Sequence, residues 1–430
     1  LQQWAGPAPQ QRLLLCADVE EGVGQRFEGA SWLVPPLALD PLWRRDPNRA
    51  EALARAYGAC IGREAQLVGL NWVLAPVCDV NNNPANPVIN VRAWGETAPA
   101  AAALASAFLG GLQQEGVLGC AKHFPGHGDS SGDSHLELPL LPHSRERLET
   151  VEFVPFRAAI AAGVASVMTA HLQLPALDPE RPATLSAAVL SQLLRQELGF
   201  QGLVVTDALV MEAIASHYGA GEAAALAFEA GADLILMPVD VDGALDALEQ
   251  GFTGGRWPLA RLEQSLERRR QALGRCAPPP AEAAVALEQL AQWEAPHRAL
   301  AQELLGLSLQ QHGTAGLGGS ADLQGPGVNL IRIDSSLGCS FLPLAAPALL
   351  RPQAAGFQAL VLDDRSQPLN LGALAPGPVL LQLFVRGNPF RGTAGADGAW
   401  ARVVQTLLAA GRLGGLVVYG SPYPVSYTHL

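Results

Sequence analysis

Short apolar runs recur along the first two-thirds of the chain, and longer segments with helical spacing separate them. The runs fall at 13–17, 72–77, 119–122, 166–170, 203–206 and 234–237. They have strand length and little internal alternation, as expected of strands buried on both faces. Between them the period changes. One segment begins at Ser186, a suitable N-cap, carries Leu190, Leu193, Leu194 and Leu198 on one stripe, and stops at Gly199. Strands and helices in alternation predict a parallel α/β architecture.

Polar groups follow each of the first five runs. Asp18 and Glu20 follow the first, Asp79 and an Asn-rich loop the second, Lys122 and His123 the third, His171 the fourth and Asp207 the fifth. The carboxyl ends of the strands face the active site in a (β/α)8 barrel, so this spread predicts a TIM-like barrel over residues 1–275. A doubly wound sheet would gather its polar groups at one switch point instead. Six units are countable where a closed barrel needs eight, and the chain starts at Leu1. The expectation is that about two N-terminal units are absent from this chain.

The barrel pattern ends near Gly274. Ala277-Pro278-Pro279-Pro280-Ala281 cannot continue a helix and reads as a linker. A helix marked by Leu287, Leu290, Trp293 and Leu300 follows, so 276–300 is expected to be linker and helix. Apolar runs at 328–333, 359–362, 379–385 and 416–419 predict a smaller α/β sandwich over 301–430. Residues 426–430 follow a strand with no helix to close the layer, so this domain too is expected to be cut short.

Composition narrows the function. A chain of 430 residues accommodates two domains, and 49% hydrophobic against 16% charged residues supplies a large core. The net charge of −12 argues against nucleic-acid and anionic-membrane partners, which select basic patches. No apolar run approaches the roughly 20 residues that span a bilayer. The six cysteines, Cys16, Cys60, Cys78, Cys120, Cys276 and Cys339, form no CxxC pair. Buried thiols in a reducing, cytoplasmic compartment are expected rather than a disulfide framework.

Candidate chemistry concentrates in 122–135, where three histidines, two aspartates and a lysine share fourteen residues with glycines and serines. Asp133-Ser134-His135 places a carboxylate where it can orient an imidazole for acid/base work, although an isolated D-x-H is more often a polar surface loop. Asp207 at a strand end can attack an anomeric carbon, or can cap the helical segment 208–215. His123, His127, Asp129, Asp133 and His135 are zinc-type ligands, but no recognised ligand spacing joins them. Lys122 beside His123 could form a Schiff base. Arg268-Arg269-Arg270 reads as a solvated helix face.

The same residues carry a resemblance. The loop 122–135, with Leu138-Pro139 after it, resembles the signature of the β-N-acetylglucosaminidases of glycoside hydrolase family 3. Asp18-Val19-Glu20-Glu21-Gly22-Val23-Gly24-Gln25-Arg26-Phe27 is similar to the family's D-Q-E-G-G-R-V-Q-R-F. The segment 74–95, Val167-Met168-Thr169-Ala170-His171, Pro182-Ala183-Thr184-Leu185-Ser186, 199–202 and 206–211 continue the match in order from about 12 to 240. The resemblance implies a retaining glycosidase without a cofactor. Asp207 would be the nucleophile, His135 the acid/base and Asp133 its tuning partner. Asp18, Arg26, Arg92, Lys122 and His123 would hold the terminal sugar. The implied substrates are small carbohydrates, N-acetylglucosaminides and muropeptides among them. Glu21, Gly24 and Val91 depart from the family pattern, which touches substrate reach more than the reaction. The β-glucosidase branch usually carries its nucleophile in S-D-W; Ala208 follows Asp207 here, which favours the other branch. A β-glucosidase or a metal-dependent barrel hydrolase are the alternatives.

Overall fold

The structure, a computed structural model, describes residues 12–278, 283–311, 326–333, 342–363, 365–385, 398–421 and 423. The second half of the proline-rich linker, Cys339 and residues 426–430 lie outside the described residues. The chain divides into two compact units, with the boundary between Leu309 and Gln310.

In the first unit, β1 (Cys16–Ala17) pairs with β2 (Trp72–Val73), and β3 (Cys120–Phe124) pairs with β4 (Ser166–Thr169), which pairs with β5 (Leu203–Val205). All pairings are parallel. Bridges from Trp72 to Leu118 and from Val77 to Lys122 join β2 to β3, and Val205 bridges to Leu234. The strands therefore adjoin in chain order, the order of a βα barrel. Among the described residues they form an arc, with no pairing between 234–237 and β1.

Both outer runs are less regular than their sequence suggests. Each has a strand neighbour on one side, so half of its backbone groups must find other partners. Along 13–15, on the side of β2, the Asn71 carboxamide stands in for a ladder: its Oδ1 accepts from Leu15 N at 2.8 Å and its Nδ2 donates to Leu13 O at 2.8 Å. At 234–237 the chain makes single backbone bonds with Val204, Thr206, Leu209 and Val210 rather than a ladder.

Alternate residues sort onto two faces, both buried. Trp72, Leu74, Leu118, Cys120, Leu203 and Val205 share one apolar cluster with Met168, and Leu14, Cys16, Leu234 and Leu236 pack against it. Val73, Ala75, Ala121, Val167 and Val204 join the larger cluster beneath the helices. Burial on both faces explains why the runs lack polar alternation.

The helices that cover the strands include α1 (Pro47–Leu67), α2 (Ala98–Gln114), α3 (Arg145–Thr150), α4 (Phe153–Ala161) and α5 (Ala188–Glu197). Asp46 caps α1 by accepting from Arg49 N at 3.1 Å. α1 and α2 approach to backbone contact: a Cβ on Gly58 would lie 2.0 Å from Phe108 O, and one on Gly111 1.9 Å from Arg55 O. Ser186 does cap α5, its hydroxyl accepting from Val189 N at 3.2 Å. That helix is wound with i→i+5 bonds, and Leu190, Leu193 and Leu194 are its buried stripe.

Further on lie α6 (Ala220–Ala230), α7 (Val241–Thr253), α8 (Leu259–Arg275) and α9 (Ala283–Ser308). The triple arginine on α8 is not simply a solvated face. Arg268 reaches the buried Asp233 at 2.9 Å and Arg269 donates to Arg12 O, while Arg270 alone is strongly exposed. Asp233 sits at the amino end of a strand-like run where Arg195 also pairs with it at 2.6 Å, so a cationic neighbour was required. α9 leans on α1 through His297 Nδ1 and Glu64 Oε1 at 2.7 Å, Arg63 stacked over Trp293, and an Arg49–Glu303 ion pair. No helix among the described residues is long and apolar enough to cross a membrane.

The second unit is a parallel sheet of β6 (Gly327–Arg332), β7 (Phe357–Leu362), β8 (Val379–Val385) and β9 (Leu413–Gly420) in the order β7-β6-β8-β9. Its helices α10 (Pro347–Ala354) and α11 (Gly398–Ala409) connect β6 to β7 and β8 to β9. Right-handed crossovers toward opposite edges place them on opposite faces of the sheet. The two-domain, mainly parallel α/β organisation expected from the sequence is thus present.

Candidate active site

Asp18, Lys122 and Asp207 each lie two positions beyond an apolar residue of the inner cluster, namely Cys16, Cys120 and Val205. The period of two in a strand sends them to that same face at the carboxyl ends. There Lys122 Nζ contacts Asp18 Oδ1 at 2.6 Å and Glu20 Oε1 at 2.6 Å. Glu20 also receives a bidentate pair from Arg92, Nε at 2.9 Å and Nη2 at 2.8 Å. Arg92 Nη1 donates to Val88 O at 2.9 Å, and Arg26 Nε to Asp18 O at 3.2 Å.

This network fixes charge. Burial alone would raise the Glu20 pKa, but the Arg92 and Lys122 charges beside it outweigh that and hold the carboxyl well below its usual range. Burial would lower Lys122, yet Asp18 and Glu20 push it up, so it stays an ammonium. A charged Lys122 is a poor amine nucleophile, which weighs against the Schiff-base alternative.

Asp79, fully buried after β2, is a second hub. It accepts from His123 N at 3.2 Å, from His123 Nδ1 at 2.7 Å and from His127 N at 2.7 Å. Burial would raise its pKa, but His123 and His127 lower it overall. An ionised carboxylate only accepts, so His123 Nδ1 carries the proton.

Asp207 is partly exposed, and its Oδ1 accepts from Ala208 N at 2.8 Å. Desolvation would raise its pKa; His123, His171, that N–H and Lys122 outweigh it, so the carboxylate is ionised. It does not cap a long helix, because only the short turn Glu212–Ala215 forms within 208–215. His171 is buried with Nε2 donating to Ala208 O at 3.0 Å. Burial lowers its pKa, and it feels the charges of both Asp207 and His135.

The loop after β3 carries the remaining groups. Asp133 Oδ1 accepts from His135 N and from His135 Nδ1, both at 2.9 Å, so a buried carboxylate backs a partly exposed imidazole. Asp129 faces outward to helix α3, meeting His143 Nε2 at 2.8 Å and Arg147 at 3.3 Å. Among the described residues, the ligand-type groups gathered within 4.8 Å of one another are Cys60, Glu64 and His297, and Asp129, His143 and Glu152. His123, His127 and His135 belong to neither. Burial pushes the thiol of Cys120 up to about 12 and that of Cys78 up as well, so both stay protonated.

Sequence reasoning named Asp207, His135, Asp133, Asp18, Arg26, Arg92, Lys122 and His123. It noted Glu20, Asp79 and His171 as strand-end polar residues without giving them a place in the site. An ionised carboxylate at one strand end, a carboxylate-backed imidazole on a loop, and charged groups around them can support nucleophilic attack with proton transfer.

Comparison with known proteins follows the same outline. Residues 5–271 match the glycosyl hydrolase family 3 N terminal domain, and residues 322–428 the bacterial glycosyl hydrolase family 3 C-terminal domain. A beta-hexosaminidase A of Pseudoalteromonas piscicida is 40% identical over 212 residues, which cover 46% of this chain and 36% of that protein. A beta-hexosaminidase of Neisseria gonorrhoeae is 38% identical over 264 residues, covering 59% of this chain and 72% of that protein. The structure of a family 3 beta-N-acetylglucosaminidase from Paenibacillus superposes with a TM-score of 0.77 at 32% identity, over 97% of this chain and 79% of that one.

Proposed function

The chain belongs to glycosyl hydrolase family 3, and from that membership we propose that it is a retaining exo-β-N-acetylglucosaminidase. The observations that support this reading are an ionised Asp207 at the end of β5 and an Asp133–His135 couple on the loop after β3. Asp207 attacks the anomeric carbon and forms a glycosyl-enzyme. His135 protonates the departing oxygen, and Asp133 stabilises the imidazolium and sets its orientation. In the second half-reaction His135 takes a proton from water, which releases the sugar from Asp207 with net retention.

Asp18, Arg26, Arg92, Lys122 and His123 hold the terminal sugar. Arg92 spends three of its five N–H donors on Glu20 and Val88, which leaves two for a hydroxyl. Asp79 and Glu20 keep His123, Lys122 and Arg92 in place. The substrate class is terminal, non-reducing β-linked N-acetylglucosamine, and muropeptide fragments of the cell wall are the natural source we favour. The named relatives support the hexosaminidase branch over the β-glucosidase branch.

Aryl β-N-acetylglucosaminide and aryl β-glucoside, offered separately to the purified chain, test the reading. We expect cleavage of the first, abolished by Asp207→Ala. Cleavage of the glucoside alone would assign the β-glucosidase branch.

A further inference from the structure

The reaction above gives His127 no part, yet His127 is buried, with 2% of its surface exposed, and its polar atoms are engaged in every direction. Its N–H donates to Asp79 Oδ1 at 2.7 Å. Its carbonyl accepts from Asn86 Nδ2 at 2.8 Å. Its ring lies between two serines, Nδ1 to Ser130 Oγ at 2.7 Å and Nε2 to Ser134 Oγ at 3.1 Å. Ser134 is the residue between Asp133 and His135 and is as buried as His127.

The loop 125–135 is rich in glycine and serine and has little apolar surface with which to hold a fixed shape. An acid/base group displaced by about an ångström loses much of its effect. Polar fasteners must then do the positioning, and they converge on the segment 79–86 after β2. Asn86 Nδ2 also donates to Gly128 O at 3.0 Å and Ser130 O at 3.0 Å. A Cβ on Gly128 would lie 1.8 Å from Val80 O, so the loop root meets the β2 segment backbone to backbone.

We propose that His127 is a positioning residue for the acid/base pair, fastening Ser134, and with it Asp133 and His135, to the segment 79–86 that follows β2. The inference rests on the glycosidase reading. An imidazole offers a donor on one nitrogen and an acceptor on the other, and a hydroxyl can serve as either. His127 therefore satisfies both serines at once while uncharged. Burial, opposed by Asp79 and reinforced by His123, brings its pKa down to about 4, with the Asp207 charge a smaller influence, so the ring is neutral near pH 7.

The test compares leaving groups. For an alkyl β-N-acetylglucosaminide, whose leaving oxygen needs a proton, Ser134→Ala should lower kcat/KM about five-fold or more, the worth of one neutral hydrogen bond. For the 2,4-dinitrophenyl glycoside, which leaves unprotonated, the loss should stay below about two-fold. His127→Asn should reproduce the split, and combining it with Ser134→Ala should add nothing, because both remove one fastener. His127→Gln, whose amide reaches the Nε2 position, should be milder than His127→Asn. Equal losses on both substrates, or additive losses in the double variant, would overturn the proposal. If His127→Asn does not fold, the substrate ratio of Ser134→Ala decides alone. Absence of turnover by the unaltered chain would overturn the glycosidase reading and this inference together, whereas turnover with equal losses overturns only the fastener.

Discussion

Asp79 takes no part in the proposed bond cleavage, yet it holds His123 by backbone and ring and His127 by backbone. Asp79→Asn keeps the shape, removes the charge and turns one acceptor into a donor facing N–H groups. We expect it to lower stability by about 2–3 kcal/mol in urea unfolding, and to lower kcat/KM for good leaving groups through His123, the proposed sugar contact, and further for poor ones through His127. His127 adds a pH dependence. Its pKa of about 4 in the folded chain lies below the ordinary value near 6.5, so the folded form binds fewer protons. The associated stability is fully present above about pH 6.5 and is lost as pH falls toward 4, up to about 3 kcal/mol. Melting temperature should therefore fall across that window, and fall less in His127→Gln. Part of the candidate site was legible at this scale: Asp207, Asp133 and His135 stand in local motifs whose proposed chemistry needs no distant partner. Glu20 was not, because its role depends on Arg92, 72 positions away, and on Lys122. A strand-end position marks such residues as candidates without saying what they hold.

Elements were legible where packing agrees with local pattern. β6, β7, β8 and β9 lie where their apolar runs predicted, because the inner pair, β6 and β8, has strand neighbours on both sides and the outer pair is held against it. The outer runs of the first unit, 13–17 and 234–237, were harder to read, since the extent of a ladder depends on neighbours that no local pattern encodes. The crossing of α1 and α2 was equally hidden. Alanine for glycine inside a helix ordinarily stabilises by roughly 1 kcal/mol. Gly58→Ala should reverse that sign, because its methyl would meet Phe108 O at 2.0 Å. We expect a destabilisation of about 1–3 kcal/mol from the forced separation of the helices, read as a lower midpoint in urea. An unchanged or raised midpoint would show that the pair can part freely.

For the molecule as a whole, the named site residues all come from the first unit, between Asp18 and Asp207. The proposed reaction draws its nucleophile and its proton from side chains alone. Prolonged treatment with EDTA should therefore leave turnover of an aryl N-acetylglucosaminide unchanged, and a loss restored by added zinc would return the metal-dependent hydrolase to the front. The family was legible because its motifs are dense along the first unit and keep their order. The second unit offered only periodicity, which predicts a sheet and says nothing of a task.

The strands of the first unit adjoin in the order in which they are synthesised. After the first, each one leaves the ribosome to find its neighbour already present, so no pairing waits for more than the next strand. Construction of the site keeps pace with translation. A nascent chain paused after residue 237 already contains, for every side chain named in the site, the partner that holds it, and misfolding that begins later in synthesis starts from a catalytic face whose parts are all in hand.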